Sequence, residues 1–193
     1  DYATWSPVYN NLGTQIGSSI SGYKFKDFGD LELATAMFKA EGIGSEINDF
    51  LDDTKFFFSV AQSKTKPGGD MNRMLGSTDS KTGTSTWIGV NMPCLLTKDG
   101  RIGLEWNKGS KYWRSVTHGE DTMIGSKIAA RGTAVEAYYT KPINEALHFD
   151  LRYTKIDYDY AGSNMFFGDE GNPDGPLSVT EATNLRASVS YRF

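Results

Sequence analysis

Two histidines bound the acid–base and metal chemistry this chain can carry. His118 lies in WRSVTHGED, just before Glu120 and Asp121, a mix of nitrogen and oxygen donors that would suit a divalent metal. The same segment also reads as a solvated polar loop, and that is the expectation here. His148 alternates with Asp150 and Arg152 in LHFDLRY, so the three share one strand face. A Ser–His–acid hydrolase can be drawn through His148, but no G-x-S-x-G elbow is present to hold its nucleophile. Asp169, Glu170 and Asp174 in FFGDEGNPDG offer the oxygen ligands Ca²⁺ prefers, without EF-hand spacing, and a surface loop is the expectation. The single Cys94 excludes an internal disulfide and a cysteine zinc cluster, and there is no CxxCH for haem. No catalytic residue, metal or cofactor is expected.

What remains is charge laid out on a regular frame. Arg101, Glu105, Glu136, Asp150, Arg152 and Arg186 each alternate with apolar residues in short stretches of period two. In TNLRASVSYRF (183–193), Leu185, Ala187, Val189, Tyr191 and Phe193 face one way and Asn184, Arg186, Ser188, Ser190 and Arg192 the other. ALHFDLRYT (146–154) has Leu147, Phe149, Leu151 and Tyr153 against the charged set; Ile156, Tyr158 and Tyr160 then carry on at even positions, which predicts a bulge at Thr154–Lys155. GTAVEAYYT (132–140) and RIGLEWN (101–107) place Val135, Ala137 and Tyr139, and Ile102, Leu104 and Trp106, on the apolar face. Further strands are predicted at 84–92, 54–62, 31–40 and 14–28, eight in all.

Composition agrees with an all-β chain. Aromatics make up 13%, glycine occurs 21 times, and the hydrophobic share is only 38%. Mean hydropathy is −0.45 and no apolar run approaches the ~20 residues of a membrane helix. A net charge of −4 argues against a nucleic-acid partner.

The connections decide between soluble and membrane architectures. Segments 64–83, 108–131 and 159–182 are long and polar, while 93–100 and 141–146 are short, with turn signals at Lys98-Asp99-Gly100 and Pro142. Long and short loops alternate, as in bacterial outer-membrane barrels with short periplasmic turns and long extracellular loops. The sequence thus predicts one antiparallel transmembrane β-barrel domain over 1–193, or the C-terminal segment of a larger barrel, its last strand running down to the periplasm. Two features fit less well: a tight turn at Phe28-Gly29-Asp30 on the long-loop side, and EGIGSEINDFLDD (41–53), long enough for a helical turn on the other. The apolar set would face lipid and the charged set would line the lumen. The same alternation also suits a soluble sandwich or lipocalin-like barrel. Beginning at Asp1 rather than Met, the chain reads as a processed product or a piece of something longer.

The terminal strand, with Phe193, Tyr191, Val189, Ala187 and Leu185 at alternate positions, resembles the C-terminal signal of Gram-negative outer-membrane proteins. That likeness implies that Tyr191 and Phe193 are read by the barrel-assembly machinery. GLEWNKGSKYW (103–113), GSKIAARGTAVEAYYTKP (125–142) and RYTKIDYDYAGS (152–163) are similar to segments of a poorly characterised family of proteobacterial porin-like outer-membrane proteins. Members of that family are usually longer, and it brings no catalytic residues.

Together these predict a passive channel for small hydrophilic solutes or ions in the bacterial outer membrane. Its pore is lined by Arg101, Glu105, Glu136, Asp150, Arg152 and Arg186 and narrowed by Lys111, Tyr112, Trp113 and Arg114 of the longest loop. The partners expected are lipid, the assembly machinery, the solutes, and a second copy or a neighbouring outer-membrane protein. Met165, Phe166 and Phe167 would either fold inward or touch such a neighbour. The alternative is a structural or adhesive barrel whose lumen is plugged by side chains.

Overall fold

A computed structural model describes residues 2–24, 27–69, 72–115, 122, 124–162, 172–177 and 179–193, with side chains from Ser6 to Ser19 and from Asp27 onward. His118, Glu120, Asp121, Met165, Phe166, Phe167, Asp169 and Glu170 lie outside the described residues.

The strongest alternation builds a seven-stranded antiparallel sheet in simple sequence order, β3 to β9. Its strands are β3 (Gly29–Glu41), β4 (Lys55–Pro67), β5 (Thr82–Pro93), β6 (Arg101–Gly109), β7 (Gly132–Pro142), β8 (Leu147–Tyr158) and β9 (Glu181–Tyr191). Before it, β1 (Tyr2–Tyr9) and β2 (Gln15–Lys24) form a separate hairpin. Asn10 turns this hairpin by accepting from the backbone of Leu12 and Thr14 with its own Oδ1, beside Gly13 at φ 77°.

Three expectations are corrected. Among the described residues there are nine strands rather than eight, because β1 was not foreseen. β2 and β3 belong to different sheets, so Phe28–Gly29 is not a hairpin turn; Gly29 pairs with Pro67 instead. And β8 has no bulge: Glu136↔Thr154 and Val135↔Lys155 follow in unbroken register, as do Thr154↔Asn184 and Lys155↔Thr183. The face carrying Asp150 and Arg152 continues into Thr154, Ile156 and Tyr158, all buried. It changes character rather than phase.

Connections separate by end, as the meander requires. Residues 68–81, 110–131 and 159–180 join strands at one end; 42–54, 94–100 and 143–146 join them at the other. The 42–54 connection contains the expected single helical turn, α1 (Asp49–Asp52), capped by Asn48 accepting from Leu51 N at 2.9 Å. The short ends close tightly: Cys94 N donates to Gly100 O with Asp99 at φ 59°, and Asn144 Oδ1 accepts from Ala146 N and Leu147 N.

Each sheet face has its own chemistry. Register places Phe56–Val90–Leu104–Ala137–Tyr153–Leu185 in one row across six strands, and Phe58–Ile88–Trp106–Val135 in the row beside it. Leu104 is 47% exposed and Leu185 71%. The opposite face holds the small core of Ala130, Ala134, Ile156 and Tyr158, against which Ile124, Leu177, Val179 and Ala182 pack. The core therefore lies beneath the long connections, and the broad apolar face is left bare.

Candidate functional site

The charged residues singled out by alternation fall on the face opposite the apolar one. Glu105 and Glu136 are directly paired across β6 and β7, and Arg152 lies across from Tyr138 and Arg186. Ion pairs then join most of the set. Arg152 donates from Nη1 to Glu136 Oε1 at 2.8 Å and from Nε to Asp150 Oδ1 at 2.9 Å, and its guanidinium lies 4.6 Å from the centre of the Tyr138 ring. Thr154 Oγ1 donates to Glu136 Oε2 at 2.8 Å, and Trp87 Nε1 donates to Glu105 Oε2 at 2.9 Å.

The hub is a residue the sequence reading passed over. Lys127, from the longest connection, places Nζ 2.6 Å from Glu136 Oε1 and 2.8 Å from Glu105 Oε2. The Lys127 and Glu105 side chains are each 9% exposed, and that of Glu136 is 1% exposed. In such surroundings both carboxylates need the ammonium as counter-charge and donor. Lys127 also sits 5.8 Å over the Trp87 ring. No periodicity marks it; the one hint is a lysine within an otherwise small and apolar run, GSKIAA.

Arg101 joins the network from the short-connection end. Its guanidinium donates to Asp53 O at 2.6 Å and to the Asn91 side chain, and Asn91 Nδ2 donates to Tyr138 Oη at 3.2 Å. A polar path therefore runs from Lys127 through Glu136, Arg152, Tyr138 and Asn91 to Arg101. Arg186 lies on the same face, level with Arg152.

The connection carrying Lys127 is laid onto the sheet by its own interactions. Trp113 is 6% exposed and donates from Nε1 to Ile128 O at 2.8 Å, while Arg131, 1% exposed, donates to Trp113 O and Ala161 O. Arg114 N donates to Ser63 Oγ at 3.0 Å, so the segment reaches across to β4. Two glycines make room: a Cβ at Gly83 would fall on the Tyr112 carbonyl and Trp113 nitrogen, and one at Gly109 on the Ala130 carbonyl. Lys111 to Arg114 were expected to narrow a lumen. In the structure Trp113 is an anchor packed against the sheet, while Lys111 and Arg114 stay half-buried. Lys111 reaches Asp174 Oδ1 at 2.5 Å, and this partner holds its ammonium above the usual lysine range.

Gly83→Val is expected to lift this connection from the sheet, since backbone lies directly against the glycine. Overpacking of this kind costs about 1–3 kcal/mol. Limited trypsinolysis should show faster cleavage after Lys111 and Arg114 in the variant than in the wild type.

His148 is exposed, on the same face of β8 as Asp150 and Arg152 and level with Ser190. Among the described residues no group of three or more His, Cys, Asp or Glu side chains is placed to hold a metal ion. Tyr191 and Phe193 are 66% and 107% exposed, and Arg192 N donates to Ala146 O at 2.7 Å just past the end of β9.

Comparison with protein families gives one assignment. Residues 2–192 match the family described as Protein of unknown function (DUF3373). The chain belongs to this family. No curated protein and no solved structure matches it. The match takes in both the β1–β2 hairpin and the whole seven-stranded sheet, so in this DUF3373 member the ion-paired face and the apolar face fall within one family unit.

Proposed function

We propose that this chain is part of a transmembrane β-barrel of the bacterial outer membrane and forms a porin-like channel for small hydrophilic solutes or ions, with the short connections and the C-terminus in the periplasm. The observation that carries the reading is the pairing of faces. One side of the sheet exposes a continuous apolar surface; the other carries buried ion pairs. A soluble sheet would bury the first and expose the second. An exposed patch of this extent on a soluble monomer is rare.

The dimensions support it. From Leu147 to Tyr153 the outward residues of β8 are apolar over ~20 Å of strand, the order of the ~25 Å band of outer-membrane barrels. Toward the long connections the same face turns charged, with Lys108 paired to Asp159 and Lys155 paired to Asp157 and Glu181. At the other end lie Tyr139, Phe149 and Tyr191, aromatics suited to the membrane–water boundary. In such a membrane the edges β3 and β9 must find strand partners, since unpaired backbone is not tolerated there. A barrel larger than these strands meets that need.

A second reading is favoured by the ion pairs themselves. Lys127, Glu105, Glu136, Arg152 and Asp150 largely neutralise one another, as a plugged structural barrel would require. Planar-bilayer recording on the purified full-length protein separates the two. The channel reading expects reproducible conductance and an anion-to-cation permeability ratio lowered by Arg186→Glu. Silence in the bilayer from correctly folded protein would leave only the plugged barrel.

A further inference from the structure

Where the 72–77 turn meets the sheet, a cavity of about 380 Å³ is lined by Phe28, Leu31, Thr65, Arg73, Met74, Leu75, Gly76 and Arg114. The turn is built to close it. Met74 and Ser77 exchange backbone hydrogen bonds, Leu75 adopts φ 51° and Gly76 φ 78°. Left-handed backbone is unfavourable for leucine, yet here it turns the side chain inward to 5% exposure. Gly76 is held from behind by Asn172, whose side chain occupies the place of a Cβ. On the sheet side, Thr65 is buried and tied to Lys81 by hydrogen bonds in both directions.

The lining divides by chemistry. Phe28, Leu31, Met74 and Leu75 offer an apolar wall, and among the described residues the charged lining is Arg73 and Arg114. Arg73 is exposed at the mouth; Arg114 is half-buried, with Nη1 donating to Ser115 O at 2.7 Å. Nearby, Lys81 lies 5.5 Å from the Tyr112 ring and adds positive charge to this end of the inward face, while Lys111, 5.3 Å from the same ring, is paired with Asp174. Apolar clefts of a few hundred Å³ with few convergent polar groups are the usual form of small-molecule sites. Guanidinium groups suit carboxylates through paired N–H donors.

We propose that this cavity binds an organic carboxylate with a compact apolar body, its carboxylate held by Arg73 at the mouth and its body against Leu31, Met74 and Leu75. The site lies on the inward face, away from the bare apolar surface, and binding there does not depend on whether the sheet conducts.

Fluorescence titration of the detergent-solubilised full-length protein with 2-naphthoate tests this, with 2-naphthamide as the neutral isostere. Saturable 2-naphthoate binding is expected, weakened at least tenfold in Arg73→Gln and for the amide. Arg73 is exposed, so this variant should keep the wild-type unfolding temperature. Leu75→Asp should also abolish binding, by placing a carboxylate in the cavity. Three results would each overturn the proposal: no saturable binding, equal binding of acid and amide, or unchanged affinity in Arg73→Gln. If conductance were absent but naphthoate bound as described, the channel reading would fall and this site would stand.

Discussion

Lys127→Met is expected to lower the stability of the folded protein by about 3–5 kcal/mol, the range found when one partner of a buried ion pair is removed. Two carboxylates depend on this ammonium, and neither has water within easy reach: Glu136 is 1% exposed and Glu105 9%. Glu136 would keep Arg152 and the Thr154 hydroxyl, and Glu105 would keep the Trp87 indole. That compensation is partial, because the Arg152 guanidinium is shared with Asp150 and the other two donors are neutral. Equilibrium unfolding in urea, followed by tryptophan fluorescence, measures the loss. The double variant Lys127→Met with Glu136→Gln should recover more than 1 kcal/mol of it, as coupled neighbours do. A single-variant cost under 1 kcal/mol would show that the carboxylates are already solvated, and the ion-paired face would lose its role as a fixed structure. The same variant probes function, since Lys127 ties the longest connection to the sheet. If that connection narrows a lumen, Lys127→Met should at least double single-channel conductance.

How far the sequence foretold this arrangement depends on what each residue answers to. Strands β4 to β9 follow from alternation, because each has one apolar face and period two is the only way to present it. The charged set was legible for the same reason: Glu105, Glu136, Asp150 and Arg152 sit at the parity opposite Leu104, Val135 and Leu151. In β1, Pro7 and the mixed sequence YATWSPVY hide the strand, since proline removes a ladder donor and no face is cleanly apolar. The supposed bulge in β8 was a change of neighbours. Arg152 meets carboxylates, whereas Ile156 and Tyr158 on the same face meet the long connections, so the residue type switches while the pleat does not. Lys127 was beyond reach because its partners lie on β6 and β7 and its own segment has no period. Contacts between an irregular loop and a sheet leave no local pattern; Gly83 and Gly109, on the ion-paired face, are where the backbone of that connection comes too close for a Cβ, and only the structure shows it.

Leu104→Arg provides the second large effect, because its sign depends on what covers the apolar face. Leu104 is 47% exposed, in the row Phe56–Val90–Leu104–Ala137–Tyr153–Leu185, with Trp106 beyond it on one side and Ile102 on the other. In water, an arginine at so exposed a position would change stability by no more than about 0.5 kcal/mol and would aid solubility. Facing hydrocarbon near the bilayer midplane, it should cost about 2–4 kcal/mol. Arginine at Lys108, on the same face as Leu104 but among charges, should cost little in either setting, which makes it the control. Reversible unfolding in lipid vesicles, compared with unfolding in zwitterionic detergent, measures both. A penalty confined to Leu104→Arg and larger in thicker bilayers is the result expected if the sheet spans a membrane. A stable, soluble Leu104→Arg protein that no longer partitions with lipid would mean that the apolar face meets another protein surface, and the barrel reading would have to be given up.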